Sequence, residues 1–208
     1  MIKKTFPISA KNMLLFFFCL FLSLSSFAQK PVEPPAEPKW VLIDGIKWAT
    51  CNVDVPGTFV AKPEDAGMFY QWNSKIGWSI TEPMISSDAG ATWNDSEYDS
   101  DTWEKVNDPC PLGWRVPTRA EYLSLAGLHD AKWTTINDVK GWLFGSDDNL
   151  LFLPVAGCCY NKDRVSGVDR MGKYWTSTPP YTFTFESMGV GFGMGTGQGG
   201  HSVRCVAE

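Results

Sequence analysis

The chain predicts an α+β domain with a short antiparallel sheet, one or two helices and long ordered loops. Three observations predict it. Short apolar or alternating runs recur between turn-forming residues, the pattern of strands and not of long helices. One strong helix start stands in mid-chain, at Thr118. Residues 73–108 are rich in Ser, Asp and Gly and have no helical period. That stretch still carries Trp78, Trp93 and Trp103, with Trp72 just before it, which argues against disorder.

The N-terminus reads as a secretory signal peptide over residues 1–28. Lys3, Lys4 and Lys11 form a positive region, residues 13–24 are almost unbroken apolar, and Ser26-Phe27-Ala28 offers a small-x-small cleavage site. The apolar run is short for a membrane span, which needs about 20 residues. Cys19 sits among Phe16, Phe17, Phe18 and Leu20, whereas bacterial lipidation favours small residues just before the Cys. Cleavage after Ala28 removes 28 of 208 residues and leaves 180, with no transmembrane segment expected in the mature chain. It also removes three Lys and no acid, so the net charge moves from −5 to −8. Pro31, Pro34, Pro35 and Pro38 with Glu33 and Glu37 make residues 29–39 a stiff, extended tether. The folded domain is then residues 40–208.

Within it, residues 40–43 and 46–48 flank Asp44-Gly45, a hairpin signal, because that dipeptide accepts the positive φ angles of a tight turn. Residues 67–72 (GMFYQW) read as a buried strand. Pro117-Thr118-Arg119-Ala120-Glu121 is a capping box, and Gly127 can end the helix that it starts. Residues 142–144 and 150–155 read as strands joined by a turn at Asp147, Asp148 and Asn149. Residues 173–177 and the alternating 181–186 (YTFTFE) add two more. In residues 189–200 every second position is Gly. As a strand this puts all the Gly on one face, open to close approach by a backbone or ring; a flexible loop is the alternative. Residues 201–206 form a terminal strand.

Composition excludes some functions. An acidic chain lacks the cationic face that nucleic acid requires. Two His leave little room for a multi-His metal site.

Several segments stand together in one order: AGMFYQWN (66–73), DPCPLGWRVPTRAEYLSL (108–125), LFLPVAG (151–157), YWTST (174–178) and SVRCV (202–206). In this the chain resembles the Fibrobacter succinogenes major paralogous domain, a secreted module of Bacteroidota. The likeness covers nearly the whole mature chain. That family in turn is similar to the formylglycine-generating-enzyme (sulfatase-modifying-factor) and C-type-lectin-like folds. RVPTRAEY looks like the helix start of that group and SVRCV like its terminal strand. The resemblance implies a C-type-lectin-like α+β domain. The Gly-rich 189–200 run departs from the family pattern.

The mature chain has five cysteines, so at least one thiol stays outside any internal bridge. The pairing expected is Cys110 with Cys205, with Cys51 as a competing partner for either. Cys158 and Cys159 are adjacent, which disfavours a bond between them. Their spacing does not match the separated pair that holds copper in formylglycine-generating enzymes. His129 and His201 have no acid at a recognisable spacing, so no catalytic set is visible.

Asp95, Glu97, Asp99 and Asp101 alternate, and in an extended segment they would offer oxygens on one side to a Ca²⁺ ion. The central Gly of an EF-hand loop is absent, a solvated acidic loop is the plainer reading, and no cofactor is otherwise expected. Trp93-Asn94-Asp95 matches a Ca²⁺-binding tripeptide of sugar-binding C-type lectins, and Glu82-Pro83 is similar to its companion motif. Met84 follows where Asn is expected, and both precede the helix, so the match is read as coincidence. Trp78, Trp93, Trp103 and Trp133 lie in polar, loop-like contexts and are the ligand-binding candidates; Trp is more often core.

The function expected is a secreted, non-catalytic binding module in the periplasm or on the outer surface of a Gram-negative cell. Its expected partner is a glycan or a surface protein. A structural or adhesive subunit of a surface assembly is the alternative, and a divergent formylglycine-generating-type oxidase the third.

Overall fold

The computed structural model describes residues 39–97 and 100–208. The leader, most of the tether and Asp99 lie outside the described residues. What is described is mostly antiparallel sheet with one short helix. The strands are β1 (Trp40–Ile43), β2 (Ile46–Asn52), β3 (Phe69–Tyr70), β4 (Gly77–Trp78), β5 (Trp114–Arg115), β6 (Lys132–Ile136) and β7 (Val139–Ser146). They continue with β8 (Asn149–Pro154), β9 (Cys158–Asn161), β10 (Arg164–Ser166), β11 (Gly172–Trp175), β12 (Tyr181–Glu186), β13 (Gly189–Met194) and β14 (Arg204–Ala207).

The predicted first hairpin is present. Ile43 pairs with Ile46, and Asp44 and Gly45 take φ of 50° and 76° between them. β2 also pairs with the last strand, giving a sheet in the order β1-β2-β14-β5 that brings the two ends of the domain together. The helix α1 (Arg119–Ala126) starts as its sequence dictates. Thr118 Oγ1 accepts from Glu121 N at 3.2 Å, and Glu121 Oε2 accepts from Thr118 N at 2.7 Å. Gly127 closes it, but in the right-handed region, at φ −82°.

Several of the expected boundaries shift, and the terminal strand is β14 at Arg204–Ala207 where 201–206 was expected, His201 and Ser202 making only isolated bridges. The aromatic stretch 67–72 is strand only at Phe69 and Tyr70. The polar residues around Trp133, read as loop, form β6, because Asn137 and Asp138 at φ 48° and 67° make a second tight hairpin turn. The Gly-rich run is strand over β13, the edge of the sheet β11-β12-β13. Close approach of a ring is realised just beyond that strand. A Cβ on Gly195 would lie 2.4 Å from the Trp175 ring, whereas nothing stands within 4 Å of one on Gly191.

Buried side chains form three clusters. One joins Trp48, Tyr122, Phe144 and Phe183 beneath the helix. The second gathers Trp72, Trp114, Trp175 and Cys205. The third, Phe69, Trp78, Trp93, Ala156 and Cys159, underlies the site described next.

Candidate functional site

Two of the four candidate tryptophans come together. Trp78 ends the short β4, opposite Phe69, and bridges to Ser86. Trp93 comes from the long loop. It is held there by Gln71, whose Oε1 accepts from Asn94 N at 3.0 Å and whose Nε2 donates to Asn94 O at 2.6 Å. The same Nε2 donates to Gln198 O at 3.1 Å, tying the loop to the Gly-rich segment. Gln71 is buried and polar, so these bonds are what makes its burial tolerable. A Cβ on Gly200 would meet Trp93 at 3.0 Å, so the absence of that atom gives the ring its seat.

The two rings lie 5.2 Å apart and are each 6% exposed. They line a recess of about 590 Å³ together with Glu82, Asp95, Lys162 and Asp163. Buried aromatic surface and exposed charged groups therefore share one concavity. Its size falls in the range of small-molecule sites, about 300–1,000 Å³. Glu82 and Asp95, one from each of the two lectin-like tripeptide matches, both lie on this recess.

The other two candidates lie elsewhere. Trp103 packs against Trp72 and Trp175 at 5.0 and 6.1 Å and donates to Asn107 O. Trp133 packs against Trp142 on the sheet β6-β7-β8. Both are half-buried. Of the acidic run, Asp99 lies outside the described residues. Asp95, Glu97 and Asp101 are exposed on irregular chain, where Ser96 N bonds Asn94 Oδ1 and turns it. Among the described residues no group of three His, Cys, Asp or Glu is placed to hold a metal ion.

The cysteines resolve as one bridge, Cys110–Cys205, with Cys51, Cys158 and Cys159 free. Burial pushes the Cys159 thiol up to about 12 and raises Cys158 as well. That is opposite to the direction that activates a thiol nucleophile.

His201 is buried with its ring 4.4 Å from that of Trp175, and neither ring nitrogen has a partner among the described residues. Burial, reinforced by nearby Lys173, holds its pKa well below the usual imidazole value. The folded chain therefore resists a proton that the unfolded chain accepts. Stability from this group is complete above the unfolded value, about 6.5, and is lost as pH falls below it. Urea unfolding at pH 7.5 and 5.5 is expected to show a loss of roughly 1 kcal/mol. His201→Phe should flatten that dependence, and an unchanged slope in the variant would sink the assignment.

No protein-family model matches the chain, and neither a curated protein nor a solved structure matches it.

The lining of the recess includes residues that sequence reasoning missed. Lys162 and Asp163 sit at the tip of the β9–β10 hairpin, too short and polar to register as strands. The Asn161-Lys162-Asp163 turn was the available signal, since Asn161 Oδ1 accepts from Asp163 N at 3.0 Å.

Proposed function

We propose that the chain is a secreted, non-catalytic binding module for a glycan. The observation that carries this reading is the recess in which Trp78 and Trp93 lie beside Glu82, Asp95, Lys162 and Asp163. Sugar rings present apolar faces, which suit aromatic surface, and hydroxyls, which suit carboxylates and ammonium groups. The leader pattern and the bridge between Cys110 and Cys205 both support export, because disulfides persist in oxidising compartments. We place the protein in the periplasm or at the outer surface of a Gram-negative cell. We also read the fold as C-type-lectin-like and the chain as a member of the Fibrobacter succinogenes major paralogous domain family. The helix start at Thr118 and the terminal strand at Arg204 form the elements that this likeness implies.

A glycan array probed with the wild type, Asp95→Asn and Lys162→Ala tests the reading. Both substitutions lie on the exposed rim, whereas removing Trp93 would empty a core cluster. Binding by the wild type that falls about tenfold in either variant is expected, one good hydrogen bond being worth that much. No binding to any glycan would overturn it. The structural or adhesive subunit remains the second reading, favoured by β13, which ends its sheet with one side unpaired among the described residues. Concentration-dependent self-association without glycan binding would turn the choice to it.

A further inference from the structure

The chain has five arginines, and the fold uses three of them. Arg115 grips both carboxylate oxygens of Glu121 at 2.9 and 2.6 Å. Arg119 lies over the rings of Tyr181 and Phe192, at 4.6 and 4.8 Å. Arg204 is buried and donates to Asn52, Ala49 and Phe152. Arg164 and Arg170 are left, both exposed, with no ion pair or side-chain hydrogen bond among the described residues. Both line the same recess, of about 520 Å³, together with Tyr160, Asn161, Ser166 and Glu186. In an acidic chain, two unspent guanidinium groups at one concavity make a local field of opposite sign to the whole.

The recess stands on well-anchored backbone. Arg164 opens β10, where the register against β9 shifts between Arg164 and Val165; such a bulge re-aims the side chains around it. Arg170 lies in a turn closed by Arg170 N and Met171 N on Gly167 O, at 3.1 and 2.9 Å. That turn is fastened to the segment between β8 and β9 by Asp169 N to Val155 O and Gly157 N to Met171 O, at 3.1 and 2.8 Å. A guanidinium carried on such backbone needs less ordering when a ligand arrives.

We propose that this recess binds a carboxylate-bearing sugar ring, a uronic acid, within the glycan that the neighbouring tryptophan recess takes. The guanidinium fork matches a carboxylate in geometry as well as charge. Tyr160 is 53% exposed and offers an aromatic face to the ring. Asn161, Ser166 and Glu186 supply donors and acceptors for ring hydroxyls. Glu186 lines the same recess, so two guanidinium charges against one carboxylate leave a net charge that suits a single acid group. The β9–β10 hairpin contributes to both recesses. Lys162 and Asp163 at the hairpin tip line one, while Asn161 and Arg164 on either side of that tip line the other. A linear chain crossing the tip reaches both.

This inference rests on the glycan reading, and the test separates the two. Isothermal titration would use a galacturonic acid tetramer, a neutral galactose tetramer and a tetraglutamate peptide. The proteins are the wild type and the double variant Arg164→Gln, Arg170→Gln, with thermal unfolding to show that both are folded. The wild type is expected to prefer the acidic sugar to the neutral one by at least about tenfold. The double variant should lose that preference and keep its neutral-sugar affinity. Equal affinity of wild type and double variant for the acidic tetramer overturns the arginine assignment alone, as does equal affinity for the peptide. Failure of the wild type with both sugars overturns this inference, and the glycan reading falls with it only if the array also shows no binding.

Discussion

Reduction of the Cys110–Cys205 bridge is expected to lower the stability of the domain by roughly 4–5 kcal/mol in the chain-entropy account. The bridge joins positions 95 residues apart, so it removes much of the freedom of the unfolded chain. It does so at a sensitive place. Cys110 precedes β5, Cys205 lies within β14, and β14 is the strand that carries both β2 and β5. For a domain of this size the loss corresponds to a fall in Tm of roughly 10 °C. Thermal unfolding with and without a thiol reductant reads it, and the double variant Cys110→Ala, Cys205→Ala should match the reduced wild type. Cys51→Ala is the control. It removes the partner that sequence alone could not exclude, and its response to reductant should equal that of the wild type. A chain recovered from the producing cell without its first 28 residues, and carrying the bridge, would tie the same chemistry to export. Indifference to reductant in the wild type would contradict the assigned role.

How much of this was legible depended on how local the chemistry was. Asp44-Gly45 fixes its turn from within, and so do Thr118 and Glu121 at the helix start, where each side chain finds its partner three residues away. The alternation of 181–186 likewise names its own buried face, and β12 has the bounds expected. The tryptophans were not legible in this way. Trp78 and Trp93 owe their meeting to Gln71, Gln198 and Gly200, contacts that span up to 127 residues. The Gly-rich run allowed two readings because glycine permits almost any backbone. What decides it is the pairing with the strand just before it, β12, which sets Phe192 against Phe183. The arginine recess stayed hidden for a related reason. Five arginines look alike in the sequence, and only the fold shows which of them already have partners.

Replacement of Arg204 should cost more than half of what loss of the bridge beside it costs. The guanidinium is fully buried and has no carboxylate partner among the described residues. Burial lowers its pKa from the usual value, yet arginine stays charged in proteins. The charge is tolerated because the planar group finds three acceptors on two neighbouring strands, β2 and β8. Nε donates to Asn52 Oδ1 at 2.9 Å, Nη1 to Ala49 O at 3.2 Å and Nη2 to Phe152 O at 3.1 Å. Asn52 extends the network by donating to Tyr174 Oη and Ala66 O. Arg204→Met removes the buried charge but strands these acceptors, at about 1–3 kcal/mol each, so a net loss of about 3 kcal/mol is expected. Arg204→Lys should lose at least as much. Its compact ammonium keeps the desolvation cost and gives up the fork that offset it. Urea unfolding of the two variants decides the matter, and a Lys variant as stable as the wild type would show that charge, not geometry, is what the site requires. Combining Arg204→Met with Cys205→Ala should cost less than the two losses added together, because adjacent residues anchor the same strand, β14, and it can be released only once.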